Sequence, residues 1–316
     1  MDNPLVSVLI ITYNHEKYIA KAIESVLMQN TDFGYEILIG EDDSSDNTRQ
    51  ICKEYAAKYP DEIRLFLNDR KNVIYIEGQP PGLTNIVNLL KKASGKYIAI
   101  CEGDDYWTDP HKLQKQVDFL EKNSDYVITT HLIQVVNDAG GNVSLNICPG
   151  VGKSTFYQRD CLFGTQFHAN TWVFKRNALF PLPQLLDKKI VGADDVLITH
   201  VLRQGKGYFF NKKMSCYRLH SGGTWSQHPN LLKILNMLYY NILSRRVYKQ
   251  YKQEYNKHII RLDCQIAERL NKNNVVQFLI QGIKVSNFNV SFLINIIFIY
   301  LIFFLLLLKK AFHRFM

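Results

Sequence analysis

The sequence lacks the cysteine patterns of a disulfide-bonded or zinc-binding protein. Its six cysteines are scattered over 316 residues and form no Cys-x-x-Cys pair. This argues against a disulfide framework and a structural zinc site, and it fits a reducing compartment. The N-terminus has no basic stretch followed by an apolar one, so we expect no signal peptide. No internal repeat appears either.

Charge is absent from one long segment near the C-terminus. Residues 290–308 are 19 residues without a charge. As a helix they would cover about 28 Å, close to the roughly 30 Å hydrocarbon core of a bilayer. The basic charge lies around this segment, because residues 224–316 contain 13 Lys and Arg against three Asp and Glu. The first 223 residues contain 25 and 26. A nearly neutral part therefore carries a basic, partly apolar tail.

A basic tail favours either nucleic acid or anionic lipid. Residues 245–257 interleave basic and aromatic side chains, but they precede the apolar segment, so we expect a membrane partner and no nucleic acid. The positive-inside rule would keep Lys309 and Lys310 on the cytoplasmic side, and the basic region before the segment as well. One straight spanning helix cannot leave both flanks on one side. An interfacial segment, a re-entrant segment and pairing with a partner's helices all remain open.

Apolar β-branched runs alternate with helical patterns over the first hundred residues. This alternation predicts βαβ units and a doubly wound sheet, and the continuous apolar runs predict central strands covered on both faces. The predicted strands are Leu5 to Thr12, Tyr35 to Gly40, Arg64 to Leu67 and Tyr97 to Cys101. Helical patterns cover residues 16–29, a stretch ending near Tyr59, and residues 83–93.

The pattern changes after residue 110. A helix is predicted after Pro110, another after Asp195, and a long helical region over residues 229–272. Further strands are predicted over Tyr126 to Val136, Trp172 to Phe174, Tyr208 to Phe210 and Met214 to Arg218.

Carboxylates cluster where the predicted strands end. Glu102, Asp104 and Asp105 place three of them within four residues after the fourth strand. Like charges this close repel, and a divalent cation with oxygen ligands, such as Mg²⁺ or Mn²⁺, would relieve the repulsion. Ligands of open α/β sheets bind at the carboxyl ends of strands. The structural alternative is a solvated acidic turn that caps the helix after Pro110.

Four motifs in this order resemble those of family 2 glycosyltransferases, which are inverting enzymes of GT-A fold. VSVLIITYNHEKYIAKAIESVLMQ from Val6 looks like the family's first strand and helix. GEDDSSDNT from Gly40 looks like its second strand-end motif. EGDDYW from Glu102 lies where the family has its Asp-x-Asp metal motif, and GADDVL from Gly192 resembles the motif of the catalytic base. The likeness covers about residues 5–225.

The resemblance implies an α/β fold with a GT-A nucleotide-sugar-binding domain and a central, mostly parallel sheet over residues 1–225. A basic helical region over 226–285 and a membrane-associated segment over 286–316 would follow. The implied activity is inverting transfer of a sugar, UDP-linked by family inference, to a hydroxyl of a glycan or lipid-linked acceptor. We expect it to serve cell-surface polysaccharide synthesis at the cytoplasmic face of the membrane.

The resemblance also implies roles for single residues. Asp104 and His220 would hold a divalent cation, Mn²⁺ or Mg²⁺, and Asp195 would act as general base, unless Asp194-Asp195 only caps a helix. The expected nucleotide-sugar contacts are Thr12, Tyr13, Asp42, Glu102, Asp105 and Arg218. Within this set Asp42 would meet the base and Arg218 the diphosphate. For Asp105 the alternative is that it only orients Asp104. A helix cap or a structural turn is the alternative for Asp42, Thr12 and Tyr13.

Two other functions remain as alternatives. The first is a non-catalytic protein that binds nucleotide-sugar and scaffolds a membrane assembly; loss of Asp104 or Asp195 would favour it, and both are present. The second is transfer of a nucleotidyl group to a sugar phosphate. Such enzymes carry a Gly- and Arg-rich loop with a Lys after the first strand. Here Thr12-Tyr13-Asn14-His15 occupies that place.

Overall fold

The structure, a computed structural model, describes residues 4–69, 83–145, 147, 150, 152–164, 166–183, 193–223, 230–269, 294–302 and 304. The described residues form two compact units. The first contains those up to residue 223, and the second contains those from residue 230 onward. The division into three segments at residues 225 and 285 stays a prediction.

The first unit is an α/β domain with a mixed central sheet. Its strands are β1 (Val6–Thr12), β2 (Tyr35–Glu41), β3 (Ile63–Leu67), β4 (Tyr97–Glu102), β5 (Tyr106–Trp107), β6 (Tyr126–Asn137), β7 (Thr155–Phe156), β8 (Val173–Lys175) and β9 (Lys206–Leu219). Among the described residues the strand order is β3-β2-β1-β4-β8-β6-β9-β5, and β7 pairs with β9. The helices are α1 (Ile19–Leu27), α2 (Thr48–Lys58), α3 (Leu83–Lys92), α4 (Lys112–Lys122), α5 (Arg176–Leu179) and α6 (Ala193–Val201).

The sheet is mixed rather than mostly parallel throughout. Strands β1 to β4 are parallel and so are β6 and β9, whereas β8 runs antiparallel to β4 and to β6, and β5 and β7 run antiparallel to β9. Parallel neighbours need a crossover connection, usually a helix, and antiparallel ones do not. The helical patterns between the first four strands indicate such crossovers, so the sequence predicts that these strands are parallel. The two- and three-residue strands that follow are too short to show a period.

Two predicted closing strands prove to be one. Residues 208–210 and 214–218 both belong to β9, which pairs with β6. The register shifts by two residues between His131 and Leu132, and by one more before Ile133. The exposed residues 211–213 lie at these bulges. A bulge leaves extra residues unpaired without ending the strand. Residues 211–213 therefore interrupt the apolar pattern of β9, and for this reason the sequence predicts two strands where the structure has one.

The central strands are covered on both faces, as their continuous apolar runs predicted. Val8, Leu9 and Ile10 are consecutive in β1 and therefore alternate between the two faces, yet all three are fully buried. Ile37, Leu38 and Ile39 of β2 are buried in the same way. This rigid centre fixes the positions of the loops that follow the strands.

A buried carboxylate joins the amino-terminal half of the sheet. Glu36 at the start of β2 accepts hydrogen bonds from the Ser7 hydroxyl at 2.7 Å and from the Ser94 backbone and hydroxyl at 2.9 and 2.6 Å. Arg64 Nη1 donates to its second oxygen at 2.7 Å. Burial opposes ionisation of Glu36, but these hydrogen bonds outweigh it and hold its pKa below the ordinary value of 4.5. The ionised side chain thus ties β1, β2, β3 and the turn after α3 together.

The second unit contains α7 (Asn230–Val247), α8 (Lys252–Arg269) and a helical stretch over residues 294–302. The first two confirm the helical pattern over 229–272 for the residues that the structure describes. No helix among the described residues is long and apolar enough to cross a membrane. Residues 290–293, 303 and 305–308 of the uncharged segment lie outside the described residues.

We expect Glu36→Gln to lower the free energy of unfolding by about 1.5–3 kcal/mol at pH 7, the usual contribution of a hydrogen bond to a charged group. Because the pKa of Glu36 is lowered on folding, its contribution is present above pH 4.5 and is lost as the pH falls through the folded pKa. The difference between variant and parent should therefore shrink in denaturant titrations below pH 4. The exposed pair Lys96–Glu121 supplies the control, because Glu121→Gln should cost less than about 1 kcal/mol. Equal effects of the two variants would contradict the role of Glu36.

Candidate active site

The carboxyl ends of β1, β2 and β4 lie side by side. Thr12, the last residue of β1, is in register with Glu41 of β2, and Ile11 is in register with Glu102 of β4. The loops after these strands carry Tyr13 and His15, Asp42, and Asp104 and Asp105, so most of the predicted site residues meet at one edge of the sheet. This is the edge at which open α/β sheets bind ligands.

Asp104 faces two histidines from distant parts of the chain. Its Oδ2 atom lies 3.0 Å from His220 Nε2 and 3.7 Å from His15 Nε2. Burial raises the pKa of Asp104, but His15 and His220 outweigh it and lower that pKa to about 2. Burial lowers the pKa of His15, which keeps its imidazole neutral and free to act as a ligand. The three ligand atoms lie within 4.8 Å of one another, so this group could hold a divalent cation.

Neighbouring side chains hold the two histidines in place. Thr12 Oγ1 lies 3.2 Å from His15 Nδ1, which leaves His15 Nε2 directed at Asp104. The Tyr18 ring packs against the His220 ring with their centres 4.7 Å apart, and the Tyr18 hydroxyl donates to Asp138. Partners of this kind fix the orientation of metal-binding imidazoles. Thr12, which the sequence placed on the nucleotide side, therefore also has a role in orienting His15.

A second cluster lies beside the first. His168 Nδ1 is 3.4 Å from Glu102 Oε2 and 3.6 Å from Asp105 Oδ2. Burial and then the charge of the neighbouring carboxylates raise the pKa of Glu102 and of Asp105 well above their ordinary values. Burial lowers the pKa of His168 to about 4, so its imidazole is neutral at pH 7. The two carboxyl groups repel each other, and a proton or a bound cation would relieve that repulsion.

Arg218 is buried and fixes the acidic loop from β9. Its backbone N–H donates to Asp105 Oδ1 at 2.9 Å, its Nε to the Asp104 carbonyl at 3.1 Å, and its Nη1 to the Asp138 carbonyl at 2.9 Å. The guanidinium also stacks on Tyr18 and Tyr106. The structure thus shows Arg218 holding the loop that carries Asp104 and Asp105. Its contact with a diphosphate stays a prediction.

The proposed base-binding side is built from the loops after β1 and β2. Asp42 is 4% exposed, its N–H donates to the Thr12 carbonyl at 3.1 Å, and its Oδ1 lies 3.4 Å from Asn68 Nδ2. Tyr13 is half-buried at the same strand end. The two loops are joined by hydrogen bonds from Asn14 N to Ser44 Oγ and from His15 N to Thr48 Oγ1, at 2.9 and 2.7 Å. Asp42 and Tyr13 are therefore held close together.

Asp194 and Asp195 lie in the first turn of α6. Burial raises the pKa of Asp194 to about 6, and the charge of Asp194 in turn contributes to the raised pKa of Glu102. The charge of Asp195 acts on the thiol of Cys161. Asp194 is thus the member of the pair whose electrostatic coupling to the acidic loop is evident. The assignment of Asp195 as general base stays a prediction.

The sequence did not assign roles to His15, His168 and Tyr18. His15 lies three residues beyond β1, on the same loop as Tyr13, and that position was an available signal. Its partners Asp104 and His220 are far away in sequence, so no local spacing marks the group. His168 precedes a short 3₁₀ helix, Ala169–Thr171, in a region without a regular pattern.

Gly103 separates Glu102 and Asp104 and packs against β1 without room for a side chain. A Cβ atom there would lie 2.6 Å from Thr12 Oγ1 and 2.9 Å from His15 Nδ1. We therefore expect Gly103→Ala to move the acidic loop away from His15 and to weaken Mn²⁺ binding, measured by calorimetry, by about 10- to 100-fold. Gly34→Ala is the matched control, because no atom lies within 4 Å of the added carbon. Unchanged Mn²⁺ affinity in a folded Gly103→Ala protein would contradict this account of the site.

Comparison with known proteins agrees with this geometry. Residues 7–178 match the family Glycosyl transferase family 2. The UDP-Glc:alpha-D-GlcNAc-diphosphoundecaprenol beta-1,3-glucosyltransferase WfgD of Escherichia coli is 39% identical over 124 residues, which are 39% of this chain and 44% of that protein. The matched segments span 60% or less of the length of the curated relatives compared.

Two solved structures share the fold. TarS 1–349 of S. aureus, in complex with UDP-GlcNAc, superposes with a TM-score of 0.62 at 17% identity and covers 89% of this chain and 80% of its own. The mannosyltransferase PcManGT of Pyrobaculum calidifontis, in complex with GDP-Man and Mn²⁺, gives a TM-score of 0.52 at 14% identity, with 96% and 87% covered. The match over more than half of the chain and the shared fold lead to one conclusion: the chain belongs to glycosyl transferase family 2 and has the GT-A fold.

Proposed function

We propose that this glycosyltransferase moves a sugar from a UDP-sugar to a hydroxyl of a lipid-linked or glycan acceptor, with inversion, during synthesis of a cell-surface polysaccharide. We place the reaction at the cytoplasmic face of the membrane. The observation that carries the proposal is the meeting of Asp104, His15 and His220 beside Asp42 at one edge of the sheet. The group that could bind a cation suits the diphosphate of the nucleotide, and the buried carboxylate of Asp42 suits its base.

The base-binding role of Asp42 rests on its position directly after β2, where its N–H donates to the Thr12 carbonyl at the end of β1 and its Oδ1 lies 3.4 Å from Asn68 Nδ2. A carboxylate accepts a hydrogen bond from the N3–H of uracil. The name of WfgD and the UDP-GlcNAc complex of TarS support uridine, whereas PcManGT with GDP-Man shows that the fold also accepts guanosine.

The ligand group favours Mn²⁺ over Mg²⁺. Mg²⁺ prefers oxygen ligands and keeps several waters, whereas Asp104 offers one carboxylate and His15 and His220 offer two imidazoles. The Mn²⁺ of PcManGT supports the same choice. When bound, such a cation neutralises charge on the diphosphate leaving group.

The carboxylates of α6 supply the general base in this proposal. The acceptor oxygen attacks the anomeric carbon, the bond from that carbon to the diphosphate oxygen breaks, and the acceptor proton passes to a carboxylate on the opposite face. The family resemblance assigns this proton to Asp195. Asp194 is the alternative general base, because a pKa of about 6 suits a base that works at neutral pH.

The test compares Asp195→Asn with Asp194→Asn in sugar transfer from UDP-sugars to a lipid-linked acceptor. We expect Asp195→Asn to lower kcat by about 10²–10⁴-fold. UDP affinity should stay unchanged, because the proposal places Asp195 against the acceptor hydroxyl and not against the nucleotide. Asp194→Asn should retain a larger share of kcat, and a greater loss in Asp194→Asn would transfer the role to Asp194.

Two further outcomes separate the competing functions. The product's anomeric configuration, read by NMR, should be opposite to that of the donor, and retention would refute the inverting mechanism. Cation-dependent UDP binding without transfer from any UDP-sugar to any acceptor would support the scaffold hypothesis instead.

A further inference from the structure

The helical stretch over residues 294–302 has two apolar faces with different surroundings. Ile296 and Ile299 are 3% and 0% exposed. On the other face, large apolar side chains remain in solvent although α-helical proteins usually cover such a stripe. These are Ile294, Ile297, Phe298, Leu301 and Phe304, which are between 48% and 61% exposed. The outer face therefore lacks a cover within the part of the chain that the structure describes.

A polar contact attaches the inner side of this helix to α8. Asn295 Nδ2 donates to Asp263 Oδ2 at 3.1 Å, and Asp263 is 1% exposed. The helix therefore lies beside α8 within the second unit. α8 cannot enter a hydrocarbon core, because it exposes Lys252, Lys257 and Arg261, and each would cost about 2.5–3.5 kcal/mol or more there.

This packing limits the length of the uncharged segment that is available to span a bilayer. If residues 294–302 lie level with a charged helix, they stay outside the hydrocarbon core except for their outer face. Two pieces of the uncharged segment then remain, residues 290–293 and 303–308. A helix of six residues, the longer of the two lengths, would cover about 9 Å, less than a third of the roughly 30 Å core.

We propose that residues 294–302 and 304 form an interfacial anchor that lies along the surface of an anionic bilayer. The exposed apolar face enters the boundary between headgroups and acyl chains, and the inner face stays on α8 through Asn295. Both basic flanks then remain on one side of the membrane, as the positive-inside rule requires. The proposal does not depend on the transfer reaction.

Charge favours a lipid surface over a second copy of this chain. Residues 230–269 contain eight Lys and Arg against three Asp and Glu, and Lys309, Lys310 and Arg314 follow the apolar face in sequence. Each basic residue near an anionic membrane contributes about 1 kcal/mol of attraction. Self-association through this face would instead bring two basic units together, which like-charge repulsion opposes.

The first experiment is flotation of the full-length protein with phosphatidylglycerol/phosphatidylcholine vesicles. The double variant Ile297→Glu/Leu301→Glu removes the outer face but leaves Ile296, Ile299 and Asn295 in place. We expect its vesicle affinity to fall by about tenfold or more. Leu67→Glu/Leu145→Glu is the matched control, since it changes two exposed leucines of the first unit and adds the same charge. Equal affinity of the two double variants would overturn the proposal.

Three more measurements distinguish an interfacial anchor from the other ways in which this face could be covered. Weak binding to pure phosphatidylcholine vesicles is expected, and equal binding would remove the electrostatic part of the argument. Alkaline carbonate should release the protein from membranes, and retention would show that the segment spans the bilayer. A dimer in lipid-free sedimentation that Ile297→Glu/Leu301→Glu converts to monomer would identify a second copy as the occupant.

Discussion

Repulsion among the carboxylates after β4 is the constraint on which the first unit depends. Three acidic side chains occupy four positions, and Asp105 is almost fully buried. Cationic or neutral side chains from distant segments of the chain lie beside these carboxylates and offset their repulsion. His15 and His220 approach Asp104, His168 approaches Glu102 and Asp105, and Arg218 fixes the loop from β9. The arrangement is suited to a site whose charge is completed by a bound cation and a diphosphate.

The acidic loop also packs closely against the end of β1. Gly103 leaves no room for a side chain against Thr12 and His15, so the acidic loop lies directly against the first strand-end loop. Further hydrogen bonds join the first loop to the second, where Asp42 lies. Pre-organised ligands of this kind lose little entropy on binding, which is how a shallow edge of a sheet becomes a specific site.

The parallel half of the sheet could be predicted from sequence because its signals are local. The apolar runs of β1, β2 and β4 and the helical patterns between them each lie within one short window. The mixed second half could not, because β5, β7 and β8 have two or three residues and β9, which pairs in parallel with β6, is interrupted by bulges. For these strands, tertiary pairing rather than local propensity decides the structure.

The candidate site divides in the same way. Asp42, Asp104 and Asp105 follow predicted strands and could be found from that position alone. His15 and His168 could not be paired with them, since those contacts join residues 63 to 89 positions apart and exist only after folding. Arg218 shows a further limit, because a residue type suited to a diphosphate is used by the fold to hold backbone carbonyls. Residue type and order locate a site, but they do not distinguish a ligand contact from its support.

The central claim is that Asp104, His15 and His220 together with Asp42 form one cation-dependent nucleotide site. Calorimetric titration with UDP and with GDP, each with and without Mn²⁺, tests it most directly in the full-length protein and in Asp104→Ala. The account predicts that UDP binds tightly only with Mn²⁺, that GDP binds more weakly, and that Asp104→Ala abolishes the effect of Mn²⁺. UDP binding that is equally tight without Mn²⁺, or unchanged in Asp104→Ala, would contradict it.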